Sequence, residues 1–200
     1  YIGIIATVIA TALGTLAALG LSRPHMPYKG LIMAILISPM IVPLIITAAG
    51  MFFFYARINL VYTFTGVILA HVALATPFVV ITVTATLVGF DMNMVKAAQS
   101  LGAKPMRTFF KVIMPLILPG IISGALFAFI TSFDEVVIVM FMASIDQLTI
   151  PKQMWAGIRQ EISPVILCMA TCLVLLSIFL LTTVELLRRR SEKLRGIKAR

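Results

Sequence analysis

Asp134 and Glu135 are two carboxylic acids within a long apolar stretch, where a charged side chain usually has a function. They are adjacent in GALFAFITSFDEVVIVMF, which carries no other charge. A carboxylate in hydrocarbon costs about 3 kcal/mol, so such groups normally face a cavity or a partner. We therefore predict that Asp134 and Glu135 line a translocation pathway for a cation. Two alternatives are that they satisfy backbone groups at a helix break or pair with Arg159.

The sequence shows no arrangement typical of catalysis or metal binding. Cys168 and Cys172 lie four residues apart in an apolar run, which favours packing over a metal site. His71 is alone in its apolar stretch, where a packed and hydrogen-bonded histidine is expected. No GxxxxGK[ST] phosphate-binding motif occurs. We predict no catalytic residue, no metal and no cofactor in this chain, which argues against an intramembrane enzyme.

The amino-acid composition indicates which kind of secondary structure carries the two acids. The chain is 61% hydrophobic and 12% charged, whereas soluble domains carry about 25% charged residues. A membrane-crossing helix needs about 20 apolar residues. We predict an all-α integral membrane protein, a polytopic helical bundle forming one domain over residues 1–200. Its five spans are predicted at about residues 1–21, 31–54, 63–88, 116–142 and 165–187.

Small residues predict faces on which helices pack closely or line a pathway. Ala6, Ala10, Gly14 and Ala18 repeat every four residues, and Gly120 with Gly124 forms a GxxxG pattern.

Lysine and arginine predict the orientation, because short cytoplasmic loops retain them. All but three of the 16 lie before residue 30, in residues 89–115 or in residues 188–200; the exceptions are Arg57, Lys152 and Arg159. We therefore predict a cytoplasmic loop at 89–115 and a cytoplasmic tail at 188–200. Tyr1 would then face outward, so a sixth span is expected ahead of it. The net charge of +9 is explained by this bias and by contact with anionic lipid, so no nucleic-acid partner is expected.

The loop at 89–115 is longer than a helix connection requires. Met94, Ala97, Ala98 and Leu101 follow helical spacing before Gly102, and a second apolar set begins after Pro105. This predicts two short helices that meet at Gly102. From the residues alone, the first helix could either dock on a partner protein or rest on lipid headgroups.

This loop resembles the EAA loop of permeases in binding-protein-dependent ABC importers. Lys96, Ala97 and Ala98 occupy the triplet, Leu101, Gly102 and Ala103 the glycine region, and Pro115 the closing step. The resemblance implies a type I importer permease in the bacterial inner membrane. Its expected partners are cytoplasmic subunits that bind ATP-Mg, a second permease subunit, and a periplasmic or extracellular substrate-binding protein.

In that family the loop is the coupling helix that docks on the ATP-binding subunit. Lys96 stands where the family has Glu, so an ionic contact made there could be lost or reversed.

The SFDE element and the downstream TIPKQMWAGIRQEISP resemble the C-type permease subunits of spermidine and putrescine importers. The resemblance implies a small cationic solute, and acidic lining would suit it. Another small solute is an alternative. A secondary transporter would explain the spans and the acids, but it would not explain the EAA-like loop.

Overall fold

The computed structural model describes residues 1–23, 26–88, 91, 93–160 and 164–194, and every regular element within them is helical. The α-helices are α1 (Ile2–Leu21), α2 (Lys29–Ile41), α3 (Leu44–Arg57), α4 (Phe64–Val88), α5 (Asn93–Ser100), α6 (Pro105–Thr108), α7 (Met114–Phe133), α8 (Val137–Met142), α9 (Ile150–Gln160) and α10 (Pro164–Leu194). A π-helical turn covers Phe109–Ile113 and a 3-10 turn covers Ile145–Gln147.

Helices long and apolar enough to cross a membrane confirm the predicted all-α membrane fold. Among the described residues these are Ile2–Leu21, Phe64–Val88, Pro105–Phe133 and Pro164–Thr183, and the bent pair α2 and α3 makes up to five. Residues 188–194 of the predicted tail continue α10, while residues 195–200 lie outside the described residues.

The span predicted at residues 31–54 is broken into two helices. α2 and α3 meet at an angle of 105°. Val42 has φ −71° and ψ 135°, an extended conformation, and Pro43 precedes α3. Proline has no N–H to donate and disfavours helical geometry in the residue before it, so the helix stops there.

Helix α4 lies between α1 and α7 and forms the centre of the bundle. The small residues of α1 face this core, and Ala6, Ala10 and Ala18 are fully buried. A Cβ added to Gly14 would lie 2.6 Å from Cβ of Val79 in α4. Small residues therefore allow the backbones to approach closely, as the spacing predicts.

The span predicted at residues 116–142 differs at both ends from the observed helices. Its N-terminal end is extended, because α6 and the π turn run directly into α7. Its other end stops at Phe133, so Asp134 and Glu135 lie in a break before α8 rather than inside a continuous helix. The Glu135 side chain stabilises the break by accepting a hydrogen bond from the Ile138 N–H.

Helix α10 packs on α7 but leaves most of its apolar surface exposed. Cys168 and Cys172 are exposed on it, contrary to the packing role predicted for them.

Candidate functional site

The first turn of α5 is held by Asp91. Its Oδ1 accepts a hydrogen bond of 2.9 Å from the Asn93 N–H, and its carbonyl accepts one of 3.1 Å from the Met94 N–H. A carboxylate at a helix N-terminus satisfies backbone donors that would otherwise lack partners. Residues 89, 90 and 92 of the predicted loop lie outside the described residues.

Gly102 ends α5 in a left-handed conformation with φ +77°. The Ala103 N–H donates to the Ala98 carbonyl at 3.0 Å, and the Gly102 N–H donates to the Gln99 carbonyl at 2.9 Å. These two bonds form a Schellman motif, whose left-handed position glycine occupies without a Cβ penalty. The geometry gives a reason for glycine at this position, where α5 ends before α6.

The faces of α5 divide the loop residues into an inner and an outer set. Val95 is buried, and α5 packs against α6 and the π turn. Met94 and Leu101 are 50% and 88% exposed. The other residues predicted for this site are exposed (Lys96, Ala97, Gly102, Pro115) or half-buried (Ala98, Ala103).

The second half of the loop is continuous with the transmembrane helix α7. Pro105 begins α6, where its missing N–H costs nothing because a first-turn N–H has no helical partner. The Met114 N–H donates to the Phe109 carbonyl, which defines the π turn. Pro115 follows, and in an α-helix it would lack its bond to residue 111 and clash there, so a widened turn suits this position. A displacement of the loop can therefore pass directly into α7.

The outer set combines apolar and cationic side chains. Met106 and Phe110 are 70% and 58% exposed and join Met94 and Leu101, while the exposed cations around them are Lys96, Lys104, Arg107 and Lys111. We call these eight residues the loop surface. Exposed apolar residues in a loop between spans are suited to contact with another protein or with headgroups.

The two acids at the end of α7 have different surroundings. Glu135 is buried, with 6% of its surface exposed, and its Oε1 accepts a 2.7 Å hydrogen bond from the Ile138 N–H in the first turn of α8. Asp134 is exposed. The structure thus places Glu135 as a helix-capping group, one of the alternatives considered for the sequence, and the side chain of Arg159 lies outside the described residues.

Lys152 acts at the opposite end of α8, a role that the sequence did not indicate. Its Nζ donates to the carbonyls of Val139 at 3.3 Å and Ala143 at 3.2 Å. Burial lowers the pKa of the Lys152 ammonium. Glu135 at the N-terminal end and Lys152 at the C-terminal end both complement the helix dipole of α8. This capping role could not be predicted from the sequence, because Lys152 is distant along the chain from the carbonyls that it contacts.

Asp134 lies in a groove between α7 and α10. The groove has a volume of about 310 Å³, and its other lining residues are apolar apart from Ser177. A carboxylate with apolar neighbours attracts a cation more strongly than one surrounded by water. The geometry can therefore hold a positively charged group beside Asp134, but it does not bring the Glu135 carboxylate to the same groove.

Comparisons with known proteins agree on one family. The sequence matches the family described as "Binding-protein-dependent transport system inner membrane component" over residues 10–193. It is 30% identical over 191 residues to the spermidine/putrescine transport system permease protein PotC of Haemophilus influenzae, covering 96% of this chain and 74% of that one. It is also 32% identical over 143 residues to the trehalose transport system permease protein SugB of Mycobacterium tuberculosis, covering 72% of this chain and 52% of that one.

The fold is similar to a crystal structure of an amino acid ABC transporter with histidines. The TM-score is 0.67 at 18% identity, with 94% of this chain and 88% of that chain covered. This likeness shows that the two chains share a fold.

Proposed function

Because the chain belongs to the inner-membrane components of binding-protein-dependent transport systems, we propose that it forms part of the pathway for a small organic cation. The proposed substrate is a polyamine such as spermidine or putrescine. Because it belongs to this family, the chain is a multi-pass inner-membrane permease of an ABC importer and not a secondary transporter. Family membership also implies ATP-binding and substrate-binding partners, and we propose that the ATPase activity resides on the former.

The position of Asp134 is the observation that supports a cationic substrate. The exposed Asp134 carboxylate is the charged group lining the groove between α7 and α10. The similarity to a permease named for spermidine and putrescine extends over 96% of the chain and therefore includes this groove. Linear amines combine positive charge with methylene segments, so they match one carboxylate set among apolar side chains.

We assign the loop surface to contact with the ATP-binding subunits. The Schellman motif at Gly102 fixes α5 relative to α6, and the π turn joins α6 to α7. An exposed surface on a folded loop that continues into a span can transmit movement of a docked protein to the pathway. Lys96 is exposed on this surface, so a charge contact at its position would require an acidic group on the partner.

The orientation proposed from the basic residues places the loop surface and the end of α10 in the cytoplasm. The opposite end of the bundle, which we call the distal end, carries Phe64, Phe133 and residues 143–151. It would face the substrate-binding protein. A second permease subunit is proposed to complete the pathway.

A neutral solute is the second candidate, because the chain is 32% identical over 143 residues to a permease named for trehalose. A sugar permease would not need a negative charge in its pathway. Asp134 therefore favours the amine.

Measuring the uptake of labelled solutes distinguishes the two candidate substrates, an amine and a neutral sugar. Cells that lack their own polyamine importers should express the complete transporter and receive labelled spermidine, putrescine or trehalose. We expect ATP-dependent uptake of an amine and none of trehalose. Uptake of trehalose alone, with the permease and the ATP-binding subunit present in normal amounts, would reject the proposed substrate.

A further inference from the structure

A second cavity lies at the distal end, among α1, α4, α7 and residues 146–151. Its volume is about 250 Å³, much larger than the ~30 Å³ that one water occupies in the liquid. Phe64 and Phe133 contribute aromatic walls, and Asp146 contributes a carboxylate. Phe133 also lines the groove of Asp134, so the cavity and the groove are neighbours.

The segment that carries Asp146 is held in place by Gln147. The Gln147 Oε1 accepts from the Ser144 N–H at 3.0 Å, and its Nε2 donates to the Tyr62 carbonyl at 2.9 Å. The Tyr62 N–H in turn donates to the Met142 carbonyl at 2.9 Å. This fixed loop sets the position of Asp146 before any ligand arrives, which lowers the entropy cost of binding.

Asp146 is exposed and has no ion-pair or hydrogen-bond partner within the described part of the chain. It is therefore not explained as a group that stabilises the loop.

His71 and Ser132 form a buried polar pair that also lines the cavity. His71 is 1% exposed, and its Nδ1 lies 2.7 Å from the Ser132 Oγ, as expected for a packed and hydrogen-bonded histidine. Its Nε2 is buried and has no hydrogen-bond partner among the described residues. The His71 ring and the Ser132 hydroxyl therefore form a polar part of the cavity wall.

We propose that this cavity binds one primary ammonium group of the substrate before the substrate reaches Asp134. Asp146 supplies the opposite charge, and the rings of Phe64 and Phe133 contact the ammonium and its methylenes beside the polar wall formed by His71 and Ser132. Carboxylates and aromatic faces both attract ammonium groups. The inference rests on the proposed import of an organic cation and adds a distal subsite with its own residues.

A diamine could contact Asp146 with one ammonium group while the other moves past Phe133. Transfer between two carboxylates keeps the charged ends compensated during passage, so no amine has to enter apolar surroundings unpaired.

Two variants with matched controls test the subsite in the complete transporter reconstituted in vesicles. Asp146→Asn removes the charge, and Asp146→Glu keeps it. Gly3→Val fills part of the cavity, because Gly3 lines it, and leaves the Asp146 carboxylate in place. A Cβ at Gly3 would lie 3.7 Å from the Ser132 Oγ, an ordinary contact, and has no Asp146 atom within 4 Å. Ile145→Asn changes the neighbouring side chain, which is 85% exposed and outside the cavity lining.

The measurement is the KM and maximal rate of putrescine uptake at a saturating amount of binding protein. We expect Asp146→Asn and Gly3→Val to raise KM about fivefold or more with little change in maximal rate, as loss of one charged contact predicts. Asp146→Glu keeps the charge and should therefore raise KM less than Asp146→Asn does, whereas Ile145→Asn should stay within about twofold of the parent.

Parental KM values in both test variants would overturn the subsite while leaving amine import intact. A raised KM for Asp146→Asn with a parental value for Gly3→Val would also overturn it, by assigning Asp146 to contact with the binding protein. If the parent transporter imports no organic cation, the proposed function fails first and the subsite fails with it.

Discussion

Two adjacent carboxylates at the end of α7 perform different tasks in this structure. Glu135 is buried and accepts a hydrogen bond from the Ile138 N–H, whereas Asp134 is exposed in the groove against α10. Neighbouring residues near a helix end point in different directions, so one carboxylate can cap α8 while the other remains free for a ligand.

The first prediction compares Asp134→Asn with Glu135→Gln. Removing the Asp134 charge should lower amine uptake by about 5- to 30-fold, the effect of 1 to 2 kcal/mol, with no loss of folded protein. Glu135→Gln keeps an oxygen that can accept from Ile138, so uptake should fall less, while Glu135→Ala should lower the unfolding temperature. The readouts are labelled putrescine uptake and thermal unfolding in detergent. Parental uptake by Asp134→Asn would make that acid unnecessary for the pathway.

The second prediction concerns Gly102, whose φ of +77° disfavours any side chain. Gly102→Ala meets no neighbouring atom within 4 Å, so its effect comes from the backbone, about 1 to 2 kcal/mol. We expect weaker binding of the ATP-binding subunit and reduced substrate-stimulated ATPase activity, with normal membrane insertion.

Gly30→Ala is the matched control for Gly102. It also has open space around its Cβ position but has no positive φ. Equal behaviour of the two alanine variants would argue against a conformational role for Gly102 in coupling.

At the scale of helices, α4 and α7 are in contact through glycine. A Cβ on Gly124 would collide with the Thr82 Oγ1 and lie 3.0 Å from the Val79 Cα, a backbone atom that cannot rotate away. Close contact of this kind contributes to helix association in lipid, where no hydrophobic effect drives the helices together.

The third prediction is that Gly124→Ala separates α4 from α7 at a cost of about 1 to 3 kcal/mol, as for other overpacked sites. Thermal unfolding of the purified permease in detergent should shift to lower temperature. Gly50→Ala in α3 is the control, because nothing lies within 4 Å of its added Cβ. An unchanged unfolding temperature for Gly124→Ala would show that the two helices can move apart freely.

At the scale of the whole molecule, the loop surface and residues 143–151 occupy opposite ends of the bundle. Helices α4 and α7 each run between these ends. The uneven distribution of lysine and arginine predicts which end faces the cytoplasm.

The fourth prediction tests that orientation with single cysteines at Ile145 and Leu101, which are 85% and 88% exposed, in a background without Cys168 and Cys172. An impermeant thiol reagent should label only Ile145→Cys in intact cells. Leu101→Cys should react after the membrane is opened, which controls for its accessibility. Labelling of Leu101→Cys from outside would reverse the orientation.

The fold class and the family could be predicted from the amino-acid sequence. Long apolar runs leave helices as the element that satisfies every backbone group in lipid, and the spacing from Lys96 to Pro115 matches an importer permease loop. Small residues every four positions in α1 predicted a buried face because helical geometry is local.

The tertiary structure alone decided which polar groups meet. The contacts of Lys152 with the Val139 carbonyl, of His71 with Ser132 and of Gln147 with the Tyr62 carbonyl join residues that are 13 to 85 positions apart along the chain. The break after Phe133 has a local partner, because Glu135 caps α8 three residues further on, but hydropathy does not register a capping side chain. Apolar runs record how much of the chain enters the membrane, but polar pairing depends on how the helices are packed, and packing brings together residues that no local pattern connects.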